Sequence, residues 1–260
     1  MTGNDGTGAF FAPPLPRVLA HRGLAIGVPE NTLAAFAKAV EAGAKFIETD
    51  VRASADGIAM ICHDDDLGRV AGVPGRVAEF TAKQLAALDL GQGNGMPTLG
   101  ETLTAFPRQR FNIDLKTADV VLPAVAAIRD ADAAGRVLVT SFSERRRRRA
   151  LSLLPGVASS ASAPVFLVIL IAAKLGVLPL FPGATRGLGA VQVPEFVGRL
   201  RVCTPRVIRA VHRAGIEVHV WTINDPADML RLRALGVDGI VTDRADLALG
   251  LPPFRPANLS

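Results

Sequence analysis

The sequence of residues 18–51 is VLAHRGLAIGVPENTLAAFAKAVEAGAKFIETDV. Two short apolar runs, Val18–His21 and Phe46–Val51, flank an alanine- and leucine-rich run at Asn31–Ala42. The two outer runs have the composition of buried strands, and the middle run has the length of a helix that ends at Gly43. A strand, a helix and a second strand in this order predict parallel strands joined by a crossover helix.

The same alternation continues to residue 243. Further strands are predicted at Phe111–Lys116, Val137–Phe142, Gly156–Ser160, Ala190–Pro194, Glu217–Thr222 and Gly239–Asp243. Further helices are predicted at Leu122–Ala133, Glu144–Leu154, Val165–Leu175, Pro205–Ala214 and Pro226–Leu235. Eight such units in about 240 residues predict an α/β fold of the TIM-type (β/α)8 barrel class. The alternation alone also leaves a doubly wound open sheet as an alternative.

One segment interrupts the alternation. From Gly57 to Glu101 the chain contains a β segment at Ile58–Cys62, loops rich in Asp, Gly and Pro, and a short helix near Thr81–Ala87. This composition predicts a small insertion after the second strand. The expected organisation is a tail at residues 1–16, a barrel at 17–250 and a second tail at 251–260.

Composition excludes several classes of protein. Of the 260 residues, 49% are hydrophobic and 20% are charged, which permits a large core and excludes global disorder. Although the net charge is +5, it comes from the single run Arg145–Arg149, without which basic and acidic residues are equal in number. The chain has few aromatic residues and no Tyr, so we expect no nucleic-acid partner. Two cysteines, Cys62 and Cys203, form no disulfide framework.

Residues 163–181 (APVFLVILIAAKLGVLPLF) are the most apolar part of the chain. Lys174, Gly176 and Pro179 interrupt the run and argue against a membrane span. We favour a buried or oligomer-facing helix, and an apolar flap that contacts lipid at a membrane surface remains as an alternative. Because no signal peptide precedes the first strand, the expected location is the cytoplasm, with or without membrane association.

Polar residues with reactive side chains lie where the predicted strands end. In a parallel barrel these ends meet at one face, where active sites are found. Glu48 and Asp50 are two residues apart on one strand, so both side chains point to the same side. Asp114 and Lys116 repeat this spacing. The remaining candidates at or near strand ends are His21, Arg22, His63, Gln192, Trp221 and Asp243.

These residue types together predict the cleavage of a phosphate ester. Three converging carboxylates repel one another unless a hard cation joins them, and their oxygens suit Mg²⁺, Ca²⁺ or Mn²⁺. Two histidines supply a base and an acid near neutral pH. Arg22 and Lys116 carry the positive charge that a phosphate needs.

The motifs in their order resemble the glycerophosphodiester phosphodiesterase family. They are His21-Arg22-Gly23, Pro29-Glu30-Asn31-Thr32, Ile47-Glu48-Thr49-Asp50-Val51, Asp56-Gly57, His63-Asp64, Pro97-Thr98-Leu99, Asn112-Ile113-Asp114-Leu115-Lys116, Ser141-Phe142, Trp221-Thr222-Ile223-Asn224 and Gly236-Val237-Asp238-Gly239-Ile240-Val241-Thr242-Asp243. The resemblance covers about Val18 to Leu249. It implies a TIM-type barrel with a small insertion and the metal-dependent hydrolysis of glycerophosphodiesters to glycerol 3-phosphate and an alcohol.

The resemblance also implies a role for each matching residue. Glu48 and Asp50 match ligands of one divalent cation, and Asp114 matches a third ligand that is usually Glu in the family. His21 and His63 match the acid/base pair, and Arg22 and Lys116 match the phosphate contacts. Trp221 matches an aromatic side chain that packs against glycerol. Gln192, near the end of the sixth strand, is a further candidate for substrate binding.

Three functions remain open at this point. The first is hydrolysis of small glycerophosphodiesters. The second is a lysophospholipase D in which the apolar segment 163–181 contacts lipid. The third is a phosphodiester-binding barrel without activity, which the complete His and carboxylate set argues against. The arginine run at Arg145–Arg149 is either a solvated helix face or a contact for anionic lipid head groups.

Overall fold

A computed structural model describes residues 7–252. Its strands are β1 (Arg17–His21), β2 (Phe46–Ala53), β3 (Ala59–Ile61), β4 (Arg110–Leu115), β5 (Val137–Thr140), β6 (Ala158–Ser159), β7 (Ala190–Pro194), β8 (Phe196–Val197), β9 (Leu200–Arg201), β10 (Glu217–Trp221) and β11 (Gly239–Thr242). Its α-helices are α1 (Thr7–Phe10), α2 (Leu33–Glu41), α3 (Gly68–Ala71), α4 (Ala82–Ala86), α5 (Leu99–Ala105), α6 (Val121–Asp130), α7 (Glu144–Leu153), α8 (Ala163–Leu175), α9 (Pro182–Thr185), α10 (Pro205–Arg213), α11 (Pro226–Ala234) and α12 (Ala245–Gly250). Short 3₁₀ turns lie at Val77–Glu79, Ala134–Arg136 and Leu178–Leu180.

The parallel strands close into a barrel. Hydrogen bonds link them in the order β6, β5, β4, β2, β1, β11, β10, β7. The two ends of this row meet through a parallel bridge between Ser160 and Ala190. Within this row, the first strand along the chain, β1, pairs with the last, β11, and Val18 lies opposite Ile240. This closure confirms the predicted (β/α)8 barrel and excludes the doubly wound open sheet.

The predicted insertion forms a small layer beside the barrel mouth. Strand β3 pairs antiparallel with the end of β2, so that Val51 faces Ile61. Helices α3 and α4 pack around a separate apolar cluster that includes Met60, Leu67 and Leu85. Because β3 turns back along β2, the chain that follows it returns to the carboxyl end of the barrel.

The structure contains one hairpin that sequence analysis missed. Strands β8 and β9 pair Phe196 with Arg201 and Val197 with Leu200. Gly198 takes the left-handed φ of +58° in the turn between them. The two strands are only two residues long each and show no alternating pattern, which is why no strand was predicted here.

The N-terminal segment is partly different from the predicted tail. From residue 7 it packs against the barrel: Phe10 is fully buried, and its ring lies 5.3 Å from the ring of Phe46. The main-chain oxygens of Phe11 and Pro13 accept hydrogen bonds from Arg17. Phe10 and the main chain at Phe11 and Pro13 therefore pack against the barrel. The parts of the predicted tails at residues 1–6 and 253–260 lie outside the described residues.

Helix α8 contains the apolar segment singled out in the sequence. One side of it is buried against the barrel through Ile169, Leu170 and Ala173, and Leu167 and Ile171 on another side are exposed. Among residues 7–252, the structure has no helix with both the length and the apolar character needed to cross a membrane.

Candidate active site

A cavity of about 470 Å³ opens at the carboxyl ends of the barrel strands. All the residues that sequence analysis assigned to a site line it: His21, Arg22, Glu48, Asp50, His63, Asp114, Lys116, Gln192 and Trp221. The structure therefore brings these nine side chains together, whereas Asp243, the other strand-end candidate, pairs with His21 and is not part of the lining. Their individual roles remain predictions.

The register of β2 and β4 explains how the carboxylates converge. Glu48 lies opposite Asn112 and Asp50 lies opposite Asp114, so two adjacent strands present a square of polar side chains to the barrel interior. The Lys116 Nζ lies 2.7 Å from Asp50 Oδ1 and 2.7 Å from Asp114 Oδ2. The Lys116 ammonium group is thus the counter-ion of both carboxylates.

Burial shifts the ionisation of this cluster. Burial and the neighbouring charge of Asp50 raise the pKa of Glu48. Burial also raises the pKa of Asp114, although Lys116 opposes the shift. Burial alone would lower the pKa of Lys116, but Asp50 and Asp114 outweigh it and raise that pKa. Burial thus disfavours the ionised forms of Glu48 and Asp114, and additional positive charge nearby would stabilise those forms.

The donor set fits a hard divalent cation. Glu48, Asp50 and Asp114 offer carboxylate oxygens, and the Oδ1 of Asp114 is buried without a hydrogen-bond partner among residues 7–252. As the side chains stand, however, no group of three His, Cys, Asp or Glu residues within residues 7–252 is arranged to hold a metal ion. The Lys116 ammonium lies between Asp50 and Asp114, within hydrogen-bond distance of both.

The loop after β1 positions His21 and Arg22. Arg22 has a left-handed φ of +55°, and Gly23 follows with a φ of +86°. A Cβ on Gly23 would lie 2.7 Å from the main-chain carbon of Ala35, so only glycine fits against α2. The turn directs the Arg22 guanidinium to Glu30 at 2.9 Å and towards Asp50 at 3.4 Å.

A carboxylate holds His21 from outside the cavity. The Nδ1 of His21 lies 2.6 Å from Asp243 Oδ1, and its Nε2 lies 3.8 Å from Glu48 Oε2. The Asn224 amide donates to Asp243 Oδ2 at 2.7 Å. Burial disfavours the imidazolium, but the hydrogen bond to Asp243 and the charge of Glu48 outweigh it and raise the pKa of His21.

His63 is held in the same way by the insertion. Its Nδ1 lies 2.7 Å from Asp64 Oδ1, and Arg69 on α3 donates to the other oxygen of Asp64. Arg69 also contacts Glu30 Oε1 at 2.7 Å, and Glu30 pairs with Arg22. Burial opposes ionisation of Asp64, but Arg69 and His63 lower its pKa to about 2.

Polar side chains form the floor of the cavity. The Asn112 amide donates to Gln192 Oε1 at 3.2 Å, and the Ser160 hydroxyl contacts the same oxygen at 3.4 Å. Asn112 Oδ1 is buried without a hydrogen-bond partner. Sequence analysis did not select Asn112 as a site residue, although it lies two residues before Asp114 and strand alternation points both to one side.

One wall of the cavity is apolar, which no motif predicted. It is formed by Phe142 after β5, Phe166 on α8 and Val197 in the hairpin, and Trp221 adjoins Phe142. The rings of Phe142 and Trp221 are 6.3 Å apart in an edge-to-face arrangement. Phe142 is 58% exposed, so this wall continues out to the protein surface.

In the run Arg145–Arg149, two side chains bind other parts of the protein and three are exposed to solvent. Arg146 donates to the main-chain oxygen of Lys116 and to the Ser141 hydroxyl, and so fixes the end of β4. Arg147 is buried and pairs with Glu144. Arg145, Arg148 and Arg149 are exposed. The interpretation as a solvated helix face is therefore wrong for two of the five arginines, because a run this long covers every side of α7.

Comparisons with known proteins agree with this site. A sequence model of the glycerophosphoryl diester phosphodiesterase family matches residues 21–247. A Mycobacterium tuberculosis protein named probable glycerophosphodiester phosphodiesterase 2 is 44% identical over 231 residues, 88% of this chain and 88% of its own.

Solved structures agree as well. A glycerophosphodiester phosphodiesterase from Agrobacterium tumefaciens is 30% identical with a TM-score of 0.75, covering 91% of this chain and all of its own. A phosphodiesterase from Oleispira antarctica, solved with the product sn-glycerol-3-phosphate, is 25% identical with a TM-score of 0.76, covering 92% of this chain and 97% of its own.

The barrel and the residues at its mouth define an enzyme of the phosphoric diester hydrolase class. The chain belongs to the glycerophosphoryl diester phosphodiesterase family. The family resemblance drawn from the motifs is thereby confirmed.

Proposed function

We propose that this chain hydrolyses glycerophosphodiesters to glycerol 3-phosphate and an alcohol, with His21 and His63 as the acid/base pair and one divalent cation. The observation that carries the proposal is that both imidazoles line one cavity with acidic and basic side chains, each with a carboxylate at its Nδ1. The product named in the Oleispira antarctica structure supports the choice of substrate.

The cation would be Mg²⁺, Ca²⁺ or Mn²⁺, held by Glu48, Asp50 and Asp114. The buried, unpaired Oδ1 of Asp114 and the oxygen-only donor set support this assignment. When bound, such an ion polarises a phosphate oxygen and stabilises negative charge that develops there.

Side chains of this chain would bind and orient the diester. Arg22 presents a planar guanidinium and Lys116 an ammonium group to the phosphate. Trp221 offers an apolar surface to the glycerol carbons, and the Gln192 amide can hydrogen-bond a hydroxyl. The 470 Å³ cavity is of the size that small-molecule sites have.

The two imidazoles would move the protons. In each one a carboxylate binds Nδ1, which leaves Nε2 for proton transfer. One Nε2 accepts the proton of the nucleophile, either water or the neighbouring glycerol hydroxyl, as the new P–O bond forms. Attack by water gives glycerol 3-phosphate directly, whereas attack by the glycerol hydroxyl gives a cyclic phosphate that water then opens to glycerol 3-phosphate. The other Nε2 donates a proton to the alcohol oxygen as its P–O bond breaks.

The test is an assay of glycerol 3-phosphate released from glycerophosphocholine. His21→Ala and His63→Ala should each lower kcat by about 10²- to 10⁴-fold, because each removes one acid/base group. Both variants should keep the wild-type circular dichroism spectrum. His212→Ala is the matched control, since His212 also pairs with a carboxylate, Asp238, but does not line the cavity. Full activity in either cavity variant would refute the assignment.

The same assay tests metal dependence when it is run with and without a chelator. Treatment with a chelator should abolish release of glycerol 3-phosphate, and added Mg²⁺, Ca²⁺ or Mn²⁺ should restore it. Unchanged turnover in excess chelator would remove the cation from the proposal. A protein that binds diesters but hydrolyses none would instead be a binding barrel without activity.

The apolar wall favours lysophospholipase D activity as a second candidate function. Phe142, Phe166 and Val197 give one side of the cavity a surface that suits an acyl chain rather than a charged head group. Comparing kcat/KM for lysophosphatidylcholine and glycerophosphocholine separates the two functions. A preference for the lysolipid that is lost in Phe166→Ser would support the second.

A further inference from the structure

Helix α8 carries an apolar stripe on its outer side. Leu167, Ile171 and Leu175 are four residues apart and 55%, 51% and 67% exposed. This spacing places them along one line of the helix surface. The opposite side is also apolar and packs on the barrel. A helix that is apolar on all sides is normally buried on all sides, so we expect another molecule to cover the outer stripe.

The stripe continues to the mouth of the active site. In the hairpin, Phe196, Val197 and Leu200 are exposed by 49%, 57% and 50%. Phe166 from α8 and Val197 from the hairpin both line the cavity, so the two elements adjoin at its rim. The mouth face is here the set of exposed apolar side chains on these two elements: Leu167, Val168, Ile171, Leu175, Phe196, Val197 and Leu200.

The surrounding charge is of one sign. Residues 145–216 contain twelve Lys or Arg residues and a single acidic residue, Glu195. Glu195 is buried and pairs with Arg201 and Arg231, so it does not offset the exposed cations.

Three cations lie directly beside the mouth face. Lys174 is in the last turn of α8, and Arg199 is in the hairpin turn between Val197 and Leu200. The Arg206 Nη2 lies 3.1 Å from the position of a Cβ on Gly176, which follows α8.

We propose that the mouth face docks on the surface of an anionic lipid bilayer. Its apolar side chains would enter the interface while Lys174, Arg199 and Arg206 meet lipid phosphates. A second copy of this chain fits less well, because a two-fold contact would place the same positively charged surface against itself. Docking in this way would turn the cavity towards the lipid, so that a phosphodiester could enter directly from the membrane.

Entry of a phosphodiester from the membrane rests on the proposed function, but docking of the mouth face on the bilayer does not. The first test is therefore co-sedimentation of the whole chain with vesicles of phosphatidylcholine, with or without phosphatidylglycerol. We expect the wild type to bind the anionic vesicles. The double variant Leu167→Gln/Ile171→Gln should bind them at least about tenfold more weakly, since it removes apolar area from the interface.

The matched control is Leu122→Gln. Leu122 is 51% exposed on α6, which packs against α5 and α7, and its replacement should leave vesicle binding unchanged. Lys174→Gln/Arg199→Gln should weaken binding to anionic vesicles by about fivefold per cation and leave binding to neutral vesicles unchanged. All these variants should hydrolyse glycerophosphocholine like the wild type, because none of the replaced residues lines the cavity.

Several outcomes would overturn docking. One is that the wild type does not sediment with anionic vesicles, and another is that Leu167→Gln/Ile171→Gln binds them as strongly as the wild type does. A third is that light scattering shows a wild-type dimer that this variant abolishes, which would make the mouth face an interface between copies of the chain. Vesicle binding without hydrolysis of any diester would leave docking in place and refute the proposed function, so the two failures are distinguishable.

Discussion

Two histidine–carboxylate pairs dominate the site at the scale of single residues. His21 is paired with Asp243 and His63 with Asp64, at 2.6 and 2.7 Å. Each carboxylate has a further polar partner, the Asn224 amide or the Arg69 guanidinium. The same arrangement thus occurs twice at the cavity, built from different parts of the chain. It fixes the ring orientation and the tautomer that proton transfer requires.

We expect Asp243→Asn to separate the role of this pairing from that of His21 itself. Loss of the carboxylate should lower kcat/KM by about 10- to 100-fold, because the imidazole is oriented less well. Asp243 contributes to the raised pKa of His21, so the limb of the pH–rate profile that reports His21 should move to lower pH. The measurement is kcat/KM against pH. Asp246→Asn, which removes a surface carboxylate paired only with Arg244, is the control and should leave the profile in place.

Strand ends could be read from the sequence because the reactive residues follow apolar runs. The partners of those residues could not. Asp243 was predicted as a strand-end candidate, but its neighbours in the sequence do not show that its carboxylate pairs with His21. Arg146 was hidden in a run of five identical residues, of which packing alone selects the one that reaches Lys116.

At the scale of elements, the insertion completes the site. It brings His63 to the barrel mouth, and its helix α3 carries Arg69, which bridges Asp64 and Glu30. Glu30 belongs to the loop before α2 and pairs with Arg22. Arg69 therefore links the histidine of the insertion to the arginine of the first barrel loop.

Removing this bridge should disturb the site without unfolding the chain. Arg69→Met should lower kcat/KM by about 10- to 100-fold, because His63 and Arg22 both lose a fixed partner and small displacements of reacting groups are costly. The Tm should change little, since the Arg69 side chain is 52% exposed. Arg76→Met in the same insertion is the control, as Arg76 pairs only with Asp65 at the surface. Wild-type kcat/KM in Arg69→Met would show that the bridge has no part in positioning.

Elements with a long apolar pattern were predicted correctly, and the two-residue strands were not. The strand predicted at Gly156–Ser160 is reduced to Ala158–Ser159, and the hairpin at Phe196–Arg201 was missed. Two-residue strands carry too little periodicity to be recognised, and tertiary contacts decide whether they form. The apolar wall escaped prediction for the same reason, because Val197 belongs to this hairpin.

At the scale of the whole molecule, the two ends of the barrel differ in structure and in function. The carboxyl end holds the polar cavity, whereas the amino end is closed by Phe10, Phe11 and a buried ion pair. Arg17 is 2% exposed and contacts both carboxylate oxygens of Glu217, at 2.5 and 2.6 Å. Its guanidinium also lies 5.2 Å from the centre of the Phe11 ring. Residues at this end of a barrel contribute to stability rather than to chemistry.

The ion pair at the amino end should make stability depend on pH in a specific way. Burial opposes ionisation of Glu217, but Arg17 and His219 outweigh it and lower its pKa to about 2. A depressed carboxyl pKa stabilises the folded state fully above the ordinary Glu pKa, and this contribution is lost as pH falls towards the folded-state value. Glu217→Gln should therefore lower the free energy of unfolding by about 3–5 kcal/mol near pH 7, because it leaves Arg17 buried without its counter-ion.

The difference between Glu217→Gln and the wild type should shrink as pH falls from about 4.5 to 2, because the unfolded wild type takes up a proton at Glu217 from about pH 4.5 and the folded wild type only near pH 2. Urea unfolding across the range measures it, and the kcat/KM of the folded variant should equal that of the wild type. Glu101→Gln, an exposed carboxyl in the first turn of α5, should change stability by less than about 0.5 kcal/mol at any pH. A difference for Glu217→Gln that stayed constant between neutral and acidic pH would mean that lost packing, and not the charge of Glu217, destabilises the variant.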